Sequence, residues 1–223
     1  MAGVTPSPPV VAAGGRLDRL ARPVAIAGPV FYVVLTAVLG LAWTGYDPVR
    51  QTQSELGSVG APHAAIMNFA GFSLLGVVLL GFAFVFRSSI PGGTGTCFAT
   101  ILIAIAGLGM GVVGFFPCDP GCIDVTATGR LHATFSMPGA IGLPLAMMIS
   151  AGLFRRDLRF GRRWQVASFL VGALSLMSGP VIAAGLLNDV DGLLQRAAMW
   201  PPLLWTSVVA LRIHRAGRPQ PSG

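Results

Sequence analysis

Six apolar runs, each about 20 residues long, alternate with short polar segments along this chain. A run of that length matches the roughly 30 Å hydrocarbon core of a bilayer. The runs cover about residues 23–43, 64–86, 97–117, 132–154, 164–187 and 193–213. Backbone groups in lipid must find their hydrogen bonds within the segment or in a closed barrel. Runs this long and continuous predict helices, so the expected fold is an all-α bundle of six transmembrane helices. Only 10% of residues are charged, against about 25% in a typical soluble domain, and the mean hydropathy is +0.73. No stretch is left for a separate soluble domain. The expected organisation is a flexible tail over 1–22, a membrane domain over 23–213 and a second tail over 214–223.

Arginine sets the expected orientation. Arg16, Arg19 and Arg22 precede the first run, Arg87 follows the second, and Arg155, Arg156, Arg159, Arg162 and Arg163 follow the fourth. Arg212, Arg215 and Arg218 close the chain. All of these fall on one side. The other side holds only Arg50, Arg130 and Arg196, together with Asp47, Glu55, Asp119, Asp124, Asp189 and Asp191. The positive-inside rule then places both termini in the cytoplasm. The first 15 residues lack a basic start, and the first run is long enough to span, so it is expected to be retained rather than cleaved. Trp43, Tyr46 and Trp164 sit where interfacial aromatic anchors belong. The absence of lysine fits an Arg-biased bacterial genome, and the expected location is the bacterial cytoplasmic membrane.

The net charge of +7 does not imply nucleic acid. The arginines form short clusters between apolar runs, with no basic stripe or aromatic platform. Gly107 and Gly111 make a GxxxG spacing that lets helix backbones approach. Packing within the chain is the leading reading, and a homodimer face is the other. Pro138, Pro144, Pro180, Pro201 and Pro202 lie in or near the runs and predict kinks.

Polar chemistry gathers on the side opposite the arginine clusters. The first outer segment contains Ser54, Glu55 and His63, with Asn68 just inside the second run. The second contains Cys118, Asp119, Cys122 and Asp124, with His132 opening the fourth run. The third leads to Arg196, one turn into the sixth run. Asn68 is costly in lipid unless hydrogen-bonded. Bonding to a neighbouring carbonyl is one reading, and ligand binding another. Cys118 and Cys122 flank a Pro-Gly turn, which in an oxidising exterior suits a small disulfide loop. A metal site or a redox thiol pair are the alternatives. A buried Arg196 wants a carboxylate, with Asp119 and Glu55 as candidates, or else snorkels to lipid phosphate.

These pieces resemble the bacterial membrane proteins grouped as domain of unknown function family 998. The matching residues are Ser54-Glu55-Leu56-Gly57, then Asn68 and Gly71, then Gly114-Phe115-Phe116-Pro117 with Asp119. Gly129, His132 and the run Gly192-Leu193-Leu194-Gln195-Arg196 complete the pattern, which extends over about residues 23–213. The resemblance implies the six-helix fold. It implies no activity, and the cysteine pair is not part of it.

Three function classes follow from the residues. The first is a membrane-embedded enzyme, hydrolase-like, acting on a lipid or small amphiphile. His132 is its general base, Asp119 orients it and Ser54 completes the catalytic set, with Glu55, Asn68 and Arg196 binding the ligand. A weaker variant places a metal on His63, His132 and Asp119. The alkaline ceramidase and adiponectin receptor superfamily uses three His, whereas only two lie on this side here. The second class is a transporter of a neutral solute, since no acid lies at mid-membrane depth for ion coupling. The third is a binding or assembly subunit. No nucleotide loop or haem attachment motif is present, and the cofactor is undefined.

Overall fold

The computed structural model describes residues 15–184 and 186–216; most of both expected tails lies outside these. The described residues form six long helices and no strand. They are α1 Arg16–Ala42, α2 Ala64–Ser89, α3 Thr94–Val113, α4 Ala127–Phe154, α5 Arg162–Ala183 and α6 Asp191–Ala216. All six expected runs are helical, with ends shifted by a few residues. The largest shift is in α1, which starts at Arg16, where Arg22 pairs with Asp18 at 2.7 Å across one helical turn. The prolines lie inside these helices and do not end them.

The first five helices are each long and apolar enough to cross a membrane. The sixth spans 26 residues, but Gln195, Arg196 and the Pro201-Pro202 pair dilute its apolar content. Helices that follow one another in sequence pack side by side, and α6 returns against α1 to close a ring. Long apolar side chains such as Val34, Val38, Phe84, Phe98, Ile101 and Leu108 point outward and are exposed. In water such a belt would be an aggregation surface; in lipid it is the ordinary exterior.

Small residues hold the interior, as expected where packing rather than water exclusion drives helix association. Gly76 of α2 faces Gly107 and Gly111 of α3. A Cβ on Gly76 would lie 2.3 Å from the Gly111 nitrogen and 2.6 Å from the Gly107 oxygen. The GxxxG pair therefore packs within the chain, its partner being a glycine on the preceding helix. At the Arg-rich end the core is aromatic. Phe154 stacks on Phe160 with ring centroids 3.9 Å apart, and Trp205 donates to Ser168 at 2.9 Å. Arg159 there folds back onto Asp157 at 2.6 Å and the Ser89 carbonyl at 2.6 Å.

The α2 helix is interrupted by a π-helical stretch, Met67–Ser73. Such segments widen a helix and free backbone groups, and they recur at functional sites. Here the end of α3 closes on it: a Cβ on Gly114 would lie 2.2 Å from the Asn68 carbonyl oxygen, and Ser73 donates to the Gly111 carbonyl at 3.0 Å.

Candidate functional site

The acidic end of the bundle is covered by the segment between α1 and α2, and α6 holds it in place. The first N–H groups of a helix have no partner inside it. In α6 the loop supplies partners: Gly192 N donates to the Arg50 carbonyl at 3.2 Å and Leu193 N to that of Val49 at 2.9 Å. Gly192 permits this approach, because a Cβ there would lie 2.2 Å from the Gln51 oxygen. One turn on, Arg196 donates to the carbonyls of Pro48 at 2.8 Å, Gln51 at 2.9 Å and Gly192 at 2.8 Å. Its other terminal nitrogen reaches the Tyr46 hydroxyl at 2.5 Å. Tyr46 in turn donates toward the Gln51 and Thr52 carbonyls at 3.1 and 2.8 Å. Burial raises the Tyr46 phenol above its ordinary pKa despite the Arg196 charge.

Further along the loop, Gln53 is fully buried. Its N–H donates to Gln195 at 2.8 Å and its side-chain oxygen accepts from Trp200 at 3.1 Å. Gln195 also donates to the Ser54 hydroxyl oxygen at 3.2 Å. Glu55 turns back on its own segment, accepting from Thr52 N at 2.8 Å and from Gln51 at 3.0 Å. Ser54-Glu55 and Gly192-Leu193-Leu194-Gln195-Arg196, distant in sequence, are thus two sides of one docked lid.

Below the lid, α1, α2 and α4 meet around Phe72. Asn68 donates to the Gly57 carbonyl at 2.9 Å, so the lid is also tied to the π segment. The Phe72 ring lies edge-on to His132, with centroids 5.7 Å apart, and 6.4 Å from Tyr32. Three buried polar atoms here have no hydrogen-bond partner among the described residues: Tyr32 Oη, Asn68 Oδ1 and His132 Nε2. An unpaired buried polar atom costs about 1–3 kcal/mol, and native proteins keep few of them. The His132 tautomer follows from its other nitrogen. Nδ1 lies 2.8 Å from the Phe116 carbonyl, which can only accept, so Nδ1 carries the proton. In the neutral imidazole the Nε2 lone pair is then bare.

Asp119 organises the start of α4. One oxygen accepts from the backbone N–H groups of Val125 and Thr126 at 2.9 and 2.8 Å, and the other from the Thr126 hydroxyl at 2.8 Å. Bonds from the Thr126 N–H and hydroxyl hold this carboxyl below its usual pKa, with help from Val125 and Arg130. Gly129 leaves room for it; a Cβ there would lie 2.1 Å from the carboxylate. Cys118 and Cys122 are bridged, with Cα atoms 5.0 Å apart. The Cys118 carbonyl accepts from Val59 N at 2.9 Å, which joins this loop to the lid.

The sequence-derived site residues therefore share one end of the molecule and, apart from the Cys118–Cys122 bridge and a 3.5 Å contact from Cys118 Sγ to the Ser54 carbonyl, bond to other groups there. The expectation that Arg196 pairs with Asp119 or Glu55 is not met. Three carbonyls and a phenol satisfy it instead, because the lid backbone lies closer than either carboxylate. Among the described residues no three of His, Cys, Asp and Glu gather as a metal set, so His63, His132 and Asp119 do not form one: Asp119 is spent on α4 and His63 is exposed. Tyr32, Gln53 and Trp200 were not singled out by sequence. Tyr32 is a lone phenol in an apolar run, and that was its only signal.

Apolar exteriors on five long helices, a glycine-packed interior and a polar cap define a multi-pass, membrane-embedded helical protein. The family described as protein of unknown function (DUF998) matches residues 25–212. The chain belongs to that family. No curated protein and no solved structure matches it.

Proposed function

We propose that this protein crosses the membrane six times with both termini in the cytoplasm, and that its outer half binds the polar head of a lipid or small amphiphile. The binding group is the triad of unpaired atoms around Phe72: Tyr32 Oη, Asn68 Oδ1 and His132 Nε2. That one observation carries the reading. Asn68 and His132 offer acceptors and Tyr32 a donor, so the fitting ligand bears a hydroxyl or amine. The lid over residues 43–63 covers the site and must lift to admit it. Such a family member belongs in the bacterial cytoplasmic membrane, with the lid outside.

A second reading is enzymatic, and the bare Nε2 of His132 favours it. A ligand hydroxyl or a water bonded there would meet a general base. Asp119 then acts through α4, positioning His132, and the Ser54 hydroxyl would serve as nucleophile should the lid shift.

The test uses the detergent-solubilised full chain. A monoacylglycerol should raise its melting temperature by several degrees, and a fatty-acid methyl ester, which lacks donors, should not. His132→Ala and Tyr32→Phe should abolish the response. Equal responses to both amphiphiles, or unaltered responses in both variants, would refute the binding reading. Release of fatty acid, lost in His132→Ala, would establish the enzymatic one. Reporter fusions at both ends that read as extracellular would overturn the orientation.

A further inference from the structure

At the opposite, Arg-rich end, the seam between α4 and α5 opens into a groove of about 410 Å³ lined by Gly95, Gly152, Arg155, Arg156 and Gln165. A second groove of about 290 Å³ shares Gly152 and Gln165 and continues past Met148, Ala151, Val166, Phe169 and Leu170. One end is thus basic and the other apolar. Val166, Phe169 and Leu170 are exposed on the belt that lipid covers.

We propose that this groove binds one anionic phospholipid, its phosphate at Arg155 and Arg156 and an acyl chain along the apolar part. Charge complementarity selects the occupant. Arg159, four residues past Arg155, is bonded inward to Asp157 and Ser89. The side chains of Arg155 and Arg156 are exposed and have no hydrogen-bond or ion-pair partner among the described residues. Arg87, Arg162 and Arg163 at this end are likewise exposed without such partners among the described residues; the groove beside Arg155 and Arg156 is what sets those two apart.

Two helix starts add donors. The α3 helix begins at Thr94 after Gly93, and α5 at Arg162 after Gly161. Both N-cap glycines lack a side chain, so neither helix has a side-chain cap. Gly95 and Gln165, in their first turns, line the groove. Two positive helix ends therefore flank the two arginines, which follow the carboxyl end of α4, and positive helix ends favour a phosphate. Gly152 keeps the seam open: nothing lies within 4 Å of where its Cβ would be.

The test measures lipid binding to the full chain in dodecylmaltoside by native mass spectrometry and melting temperature. Phosphatidylglycerol should bind at one site and stabilise, while phosphatidylcholine and inorganic phosphate should not. Arg155→Gln with Arg156→Gln should weaken binding roughly 10- to 30-fold, from the usual attraction of an arginine to an anionic lipid. Gly152→Leu should block it without unfolding the protein, since the space is empty. Arg87→Gln, which removes charge at the same end outside the groove, should bind as the parent does. Equal binding of phosphatidylcholine, stabilisation by phosphate alone, or an unaltered double glutamine variant would each overturn the proposal. The site around Phe72 is untouched by these variants, so the two ideas fail separately.

Discussion

Replacing Arg196 should loosen the lid, and its size can be worked from the contacts. The guanidinium makes four hydrogen bonds, to Pro48, Gln51 and Gly192 carbonyls and to the Tyr46 hydroxyl. Bonds to a charged group are each worth about 1.5–3 kcal/mol net, so four of them sum to roughly 6–12 kcal/mol. That sum is an upper bound. Water can reach the loop carbonyls once the side chain is gone, and the Gly192 carbonyl stays within its helix. A loss of about 3–4 kcal/mol is expected for Arg196→Ala. Arg196→Lys should recover less than half, because one ammonium cannot span carbonyls that the planar fork reaches together. Tyr46→Phe should cost about 1 kcal/mol alone and less on the Arg196→Ala background, since the bonded partners are coupled. Thermal unfolding in detergent, followed by circular dichroism, gives these values, and protease sensitivity of the 43–63 segment reports the lid itself. A lysine variant equal to the parent would refute the argument. It would mean that the position needs only a charge snorkelling to lipid.

Three other outcomes follow from the same geometry. Gly192→Ala should cost about 1–3 kcal/mol by overpacking, because its Cβ meets the Gln51 oxygen at 2.2 Å; lid protease sensitivity should rise, and an unaffected variant would place the lid elsewhere. Asp119 has a lowered folded-state pKa, so its contribution is complete above the ordinary carboxyl value near ~3.9 and is lost as pH falls through the folded value. Acidification from pH 6 to pH 3 should therefore destabilise the parent more than Asp119→Asn; identical acid profiles would show that the carboxylate does not anchor α4. Denatured protein alkylated without reductant should take one label, at Cys97, and three after reduction, because Cys118 and Cys122 are bridged; three labels without reductant would exclude the bridge.

How much of the site was legible differs between residues. Asp119 and Cys118–Cys122 act within one loop, so their partners sit a few positions away and local spacing could point to them. Asn68 as a lid anchor was one of two open readings, since an amide in a span must find a carbonyl. Arg196 was rightly singled out as a buried cation, but its partner was misjudged. Sequence shows which acids exist, not that Gly192 lets three loop carbonyls come closer. Tyr32 was missed because a phenol in an apolar run reads as ordinary span composition until Phe72 and His132 are placed beside it.

Sequence by itself determined the all-helical membrane fold and the division of the chain into an Arg-rich and an acidic face. Both follow from interactions between each segment and its surrounding medium, namely apolar length against bilayer thickness and charge against the interface. These need no knowledge of neighbours. Only the tertiary structure decided that the helices close into a ring, that α6 clamps the lid, that Tyr32, Asn68 and His132 lie around Phe72, and that Arg155 and Arg156 line a groove. Those contacts depend on how each helix is rotated and how closely glycines let backbones approach. Neither quantity is written in the hydropathy or charge of any single run.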